Sequence, residues 1–268
     1  MDFIQSIALG VIQGITEILP ISSTAHLVLV PWFFSWYDPG LPHNVALHMG
    51  TLASILYYFR LEWAGIAREF FRGALEGSFA SYPQGRLGTY IIAASVPGAL
   101  VGLVLERWAS GTLRQPIVIA GALALFGIVL FAADRLPGRV KSVGEIALVD
   151  SIVIGAFQAI AIVPGVSRSG IAITGGLLRR YKRDEAARFS FLISAPIVAG
   201  AGALEARHLD FSTALSPEFL SGVLASAVFG YLSIRFLLKY VQGRSYTVFV
   251  VYRLALAAVI ISFYFARG

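Results

Sequence analysis

Cysteine is absent from the 268 residues, and only 13% of them are charged. The first absence excludes a disulfide framework, a thiol nucleophile and any cysteine-based metal centre. The second sets the chain apart from soluble domains, in which about 25% of residues are charged. Intrinsic disorder is excluded as well, because it needs low hydrophobicity and high net charge. In place of charge the chain has 57% hydrophobic residues and a mean hydropathy of +0.76, with apolar stretches recurring along its whole length. This is the composition of an all-α polytopic membrane protein. The net charge of +6 would suit nucleic acid, but a helical membrane protein also gathers Lys and Arg in its cytoplasmic loops.

The N-terminus does not read as a cleaved signal, since it lacks a basic start and carries Asp2 and Glu17. Apolar stretches lie near 3–19, 21–34, 44–59, 90–105, 117–133, 147–163, 170–178, 189–204, 219–238 and 247–265. Pro20 splits the first pair, and Pro164-Gly165 splits 147–163 from 170–178. A break of this kind at membrane depth is tolerated only where the freed backbone lines a cavity. The pattern therefore predicts six crossing helices plus two re-entrant broken-helix pairs. With each split pair returning to its own side, loops 60–88, 134–145, 179–188 and 239–246 share one face and hold 14 of the 21 Lys and Arg. That face is cytoplasmic by the positive-inside rule, both termini face outward, and no nucleic-acid partner is needed. Within 60–88, Arg60, Arg68 and Arg72 alternate with Glu62, Glu69 and Glu76 beside Trp63, Phe70 and Phe71. This is the pattern of an interfacial amphipathic helix or of an ordinary loop helix.

Two passages echo each other. Gly10 to Pro20, with Gln13, leads to Ser22-Ser23-Thr24; Gly155 to Pro164, with Gln158, leads to Ser167-Arg168-Ser169. Ser95-Val96-Pro97 is echoed by Ser194-Ala195-Pro196. The expected organisation is a single integral membrane domain, 1–268, with repeat one over about 1–105, repeat two over about 147–238 and a final helix at 247–265. Under the topology above the two repeats are inverted, and their broken helices meet near the midplane.

Ionisable residues at membrane depth are costly to keep, which makes Glu17, His26 and Arg168 the sharpest functional candidates. Each sits beside a proline break and a cluster of hydroxyls. A half-helix N-terminus offers unpaired N–H groups and a positive dipole end, so two of them facing each other would cradle a phosphate. Arginine suits such a cradle because its planar fork engages two oxygens at once. Simple helix capping accounts equally well for any single hydroxyl, and Arg168 paired with Glu17 could be an ion pair that locks the two breaks together.

The segment GVIQGITEILPISSTAHL, together with PGVSRSG, resembles the two signature motifs of the undecaprenyl-diphosphatase family of bacitracin-resistance type. The resemblance covers essentially the full chain and includes a late Tyr252-Arg253 pair. Ala25 stands where many relatives have glycine. The resemblance implies hydrolysis of undecaprenyl diphosphate to undecaprenyl phosphate. That reaction recycles the lipid carrier of peptidoglycan synthesis and confers bacitracin resistance. It also implies a multi-pass protein of the bacterial cytoplasmic membrane, with its cavity open to the outer, periplasmic face. By the same resemblance Glu17, Ser23, His26 and Arg168 are catalytic, and Gln13, Ser22, Thr24, Ser167 and Ser169 bind substrate. A divalent cation, Mg²⁺ ahead of Ca²⁺, would reach Glu17 through substrate phosphates and water. Ser23 is the first choice of nucleophile, His26 the second and a directly attacking water the third. His48 and Arg253 form a second tier, His48 more readily a satisfied core histidine and Arg253 a support for the core. Asp150 reads as a helix cap, and His43 and His208 as solvated residues of outer loops. The small-residue run Gly98 to Gly102 permits the close packing that a homodimer would use.

Three rival functions fit part of the pattern. A polyprenyl-phosphate flippase or other secondary transporter would share the inverted repeat and the anion site, but would need no nucleophile. A phosphatidic-acid-type lipid phosphatase would need a later histidine followed by aspartate, and after Arg168 only His208 is available. A purely structural protein leaves the polar cluster unexplained.

Overall fold

The computed structural model describes residues 3–36, 40–110, 112–205 and 216–267. Among these residues there is no β-strand, only a single bridge between Lys141 and Tyr181. The eleven α-helices are α1 (Phe3–Ile18), α2 (Ser23–Phe34), α3 (Gly40–Tyr58), α4 (Arg60–Glu76), α5 (Pro83–Ser110), α6 (Pro116–Arg135), α7 (Leu148–Ala159), α8 (Arg168–Leu178), α9 (Arg183–Glu205), α10 (Pro217–Gly243) and α11 (Thr247–Arg267). Each apolar stretch read from the sequence becomes a helix. His208 lies outside the described residues.

Among the described residues five helices, α5, α6, α9, α10 and α11, are long and apolar enough to cross a membrane, and the chain is a multi-pass membrane protein. The expected sixth crossing, 44–59, overlaps α3, which ends at Tyr58. It has 19 residues, but His43, Asn44, His48, Thr51 and Ser54 dilute its apolar character. These residues turn toward protein. Ser226 Oγ of α10 donates to the Leu47 carbonyl at 2.7 Å, and Gly50 and Gly230 sit where a Cβ would strike the other helix. His43, expected in a solvated loop, is instead buried in the first turn of α3, edge-on to Phe219.

Segment 60–88 divides in two. Residues 60–76 form α4, whose Leu61, Phe71 and Leu75 are exposed. Residues from Pro83 onward already belong to α5. Glu69 of α4 accepts from the Gln84 and Gly85 N–H groups, so one helix caps the start of the next.

The short helices carry the breaks. After Ile18 the chain turns through Leu19-Pro20, and Ser22 adopts φ 74° before α2 begins at Ser23. After α7 a 3₁₀ turn and Pro164-Gly165 lead to Ser167, φ 71°, before α8 begins at Arg168. Both serines cap their helix through the side-chain oxygen, accepting from Ala25 N at 3.4 Å and from Gly170 N at 3.2 Å. Glycine permits the packing of the preceding halves. A Cβ at Gly10 would lie 2.1 Å from the Gly222 carbonyl of α10, and one at Gly155 would lie 2.2 Å from the Ala94 carbonyl of α5. Part of the Gly98–Gly102 run is likewise used within the chain, since Gly98 faces Ile197 of α9 while Gly102 faces open space.

The basic loops do more than mark a side of the membrane. Asp134 accepts from Arg183 Nε at 2.6 Å and from the Tyr246 N–H at 2.9 Å, with Arg139 at 3.5 Å. Asp150, read as a helix cap, accepts from Arg179 Nε at 2.5 Å, Tyr181 Oη at 2.7 Å and Lys141 Nζ at 3.2 Å. Burial alone would raise the Asp150 pKa, but the hydrogen bonds from Tyr181, Arg179 and Lys141 outweigh it and hold the carboxyl below its ordinary value. A depressed folded-state pKa means stability that is present above the unfolded value, about 3.9, and lost as pH falls through the folded one. Both cations are partly solvated, so Asp150→Asn is expected to cost roughly 1–2 kcal/mol at neutral pH. Thermal unfolding of the two proteins across pH checks this: the difference should narrow as pH drops below about 3.9. A gap that persists unchanged at pH 3 would exclude the carboxylate as its source.

Candidate active site

Glu17 is the hub. It occupies the last turn of α1, buried, directly before the first break. Its Oε2 accepts from Ser23 Oγ at 2.5 Å and from Gln13 Nε2 at 3.1 Å, and lies 3.3 Å from His48 Nε2. Its Oε1 pairs with the Arg168 guanidinium. Arg168 is the first residue of α8 and Ser23 the first of α2, so the two half-helix N-termini converge on one carboxylate. A second guanidinium nitrogen of Arg168 donates to the Ser194 carbonyl of α9 at 3.5 Å. Gln13 Oε1 is buried and has no hydrogen-bond partner among the described residues.

The serines of the second break face the first. Ser169 Oγ donates to the Leu19 carbonyl at 3.3 Å and lies 3.3 Å from Ser167 Oγ. Ser22 and Ser167 spend their side chains on capping. Thr24 is exposed and stands apart from these contacts.

His26 is buried one turn into α2, with both ring nitrogens engaged. Nδ1 is 2.7 Å from the Ser22 carbonyl and Nε2 is 2.7 Å from Tyr252 Oη. A carbonyl can only accept, so in the neutral ring Nδ1 carries the hydrogen and Nε2 accepts from Tyr252. The rings are also stacked, with centroids 5.7 Å apart.

Arg253, next in the chain, has a different job. It is fully buried, and it donates to main-chain carbonyls from both breaks: Pro20 at 3.3 Å, and Gly165 and Val166 at 3.0 Å. Two further bonds reach Leu123 and Ala122 of α6 at 3.1 and 3.4 Å. One guanidinium thus holds the two turns against each other and against α6.

Two contacts escape a reading by motif: His48 to Glu17, and Tyr252 to His26. The first left a trace, because Asn44, His48 and Thr51 follow the i, i+4, i+7 spacing of one helix face. The second left only the late Tyr252-Arg253 pair, and an aromatic residue in an apolar helix does not announce its partner.

Among the described residues, no group of three or more His, Asp or Glu side chains is placed to hold a metal ion. Glu17 is the one carboxylate here, and both its oxygens already face protein donors. This donor set fits a cation that arrives with phosphate oxygens and water as most of its ligands, and does not fit one caged by protein alone.

A family model described as "Bacitracin resistance protein BacA" matches residues 6–259. The chain belongs to this family. It is similar to a protein named undecaprenyl-diphosphatase from Moorella thermoacetica, 46% identical over 268 residues and covering 100% of each chain. A protein of the same name from Desulforudis audaxviator is 43% identical over 268 residues, again covering 100% of both. One from Pelotomaculum thermopropionicum is 45% identical over 270 residues, covering 100% of this chain and 98% of that one. The BacA match spans both breaks and all the polar contacts of Glu17, His26 and Arg253.

Proposed function

We propose that this chain hydrolyses undecaprenyl diphosphate to undecaprenyl phosphate and inorganic phosphate, and by returning the carrier to peptidoglycan synthesis confers bacitracin resistance. The observation that carries the reading is the 2.5 Å contact between Ser23 Oγ and Glu17 Oε2, at the meeting point of two half-helix N-termini. A serine hydroxyl is a weak nucleophile unless a base removes its proton. Glu17 is that base. Ser23 Oγ attacks the terminal phosphorus, its proton passes to Glu17, and the bond to the undecaprenyl phosphate oxygen breaks. Water then cleaves the phosphoseryl ester and releases inorganic phosphate. A polyprenyl phosphate leaves readily as an anion, so the first step needs no strong acid. The geometry favours Ser23 over His26 as nucleophile, because the His26 lone pair is engaged by Tyr252.

Arg168 covers Glu17 in the structure. An incoming diphosphate offers the guanidinium a stronger, bidentate partner. As Arg168 turns to phosphate it stabilises the charge that develops there, aided by the N–H groups of α2 and α8. The same movement frees Glu17 to accept the Ser23 proton. Glu17 would also be the single protein carboxylate on a Mg²⁺ ion held mainly by substrate phosphates, which supplies further charge neutralisation.

We infer an inverted-topology repeat from the matched capping serines and the matched glycine approaches of α1 and α7. With the basic loops cytoplasmic, the cavity opens to the outer face of the bacterial inner membrane. Transporters share this architecture, but a transport site has no use for a serine held on a carboxylate. Phosphate release from a polyprenyl diphosphate by the purified protein, with and without chelator, tests the reading. Glu17→Gln should lose at least about 100-fold while remaining folded. Movement of labelled lipid phosphate across liposomes without hydrolysis would make it a transporter instead.

A further inference from the structure

α3 brings to Glu17 a side chain that neither signature segment contains. His48 Nδ1 lies 2.7 Å from the Asn44 carbonyl, one turn back on its own helix, and Nε2 lies 3.3 Å from Glu17 Oε2; both partners can only accept, so the ring holds the carboxylate as an imidazolium, with a hydrogen on each nitrogen. The ring is tethered at one end and presents the other to the carboxylate. α3 cannot drift, because the Ser226 bond to the Leu47 carbonyl and the glycine contacts at Gly50 and Gly230 lock it to α10. The His48 side chain is 22% exposed, against 5% for Glu17 and 17% for Arg168. It is the most exposed of the three side chains.

The four groups around Glu17 are unequal once substrate binds. Ser23 is consumed as nucleophile, and Arg168 leaves Oε1 for phosphate. Gln13 remains, but it sits one turn back on the same helix and moves with it. Among the described residues, His48 is then the only restraint that reaches Glu17 from another helix. A glutamate has three side-chain torsions, and a carboxylate displaced by about 1 Å can lose on the order of 100-fold in rate.

We propose that His48 is a positioning residue that holds Glu17 Oε2 toward Ser23 during proton transfer. This rests on the hydrolytic reading above. The test is steady-state phosphate release from a polyprenyl diphosphate by the full-length purified protein. His48→Leu should lower kcat by about 100-fold and leave KM within about twofold, because the lost contact is to the base and not to substrate. His48→Gln keeps an N–H at similar reach and should recover most of the loss. Should His48→Leu not fold, His48→Asn, whose amide is too short to reach Glu17, replaces it with the same expected loss. Wild-type kcat in the Leu or Asn variant would overturn the proposal, as would a Gln variant as slow as Leu at equal thermal stability. A wild-type protein that releases no phosphate instead refutes the hydrolytic reading, and the positioning role goes with it.

Discussion

Arg168→Lys is expected to cost on the order of 10³-fold in phosphate release while the protein stays folded. Lysine keeps the charge and most of the length. It loses the planar fork that can bind Glu17 in one state and two phosphate oxygens in the next. Arg168 also sits at the first position of α8, where a changed side chain adjusts the helix end without opening the core. Its side chain is partly open, and one of its bonds, to the Ser194 carbonyl, is long. Lysine can therefore be accommodated, and little stability should be lost. Turnover of the purified variant, alongside its unfolding midpoint and its elution as a single species, separates these effects. Turnover within tenfold of wild type would remove Arg168 from the reacting phosphate.

Arg253 should behave in the opposite way. Arg253→Leu is expected to destabilise the protein by about 3–5 kcal/mol, the scale on which a buried charged network loses one partner. Leucine relieves the burial of a cation, but it abandons carbonyls of Pro20, Gly165, Val166, Leu123 and Ala122 at once. A buried acceptor left without a donor costs roughly 1–3 kcal/mol, so the orphaned carbonyls dominate. Total stabilities of about 5–15 kcal/mol leave little margin. Recovery of monodisperse protein and its thermal midpoint in detergent are the measurements. Arg253→Lys, able to reach some carbonyls but not all, should fall between. A Leu variant that melts with wild type would mean that the two breaks do not depend on this clamp.

Arg168 and Arg253 carry the same charge in similarly apolar surroundings, and sequence separates them only by motif. Arg168 follows a proline break and a serine, and that local grammar placed it at a helix start, where α8 begins. Arg253 lies in the unbroken apolar run of α11, and nothing local says that its partners are main-chain carbonyls from three other segments. The same contrast applies to the histidines. His26 was legible through the Ser-Ser-Thr-Ala-His segment. His48 needed α3 to be laid beside α1, and its partner is 31 residues away in the chain. Asp150 read as a cap because it starts a helix; its real partners, Lys141, Arg179 and Tyr181, come from loops on either side.

The sequence by itself determined what depends on local chemistry. Scarce charge and long apolar runs required membrane helices. Proline followed by serine fixed where two of them break, and the placement of Lys and Arg marked one set of loops as basic. These follow from solvation and from backbone hydrogen bonding within a few residues. Only the tertiary structure decided how the halves meet: that Glu17 collects donors from α1, α2, α3 and α8, that Tyr252 engages His26, and that Arg253 binds both turns. Such contacts depend on helix packing set by glycine approaches at Gly10 and Gly155, and close packing between distant segments leaves no period in the chain to read.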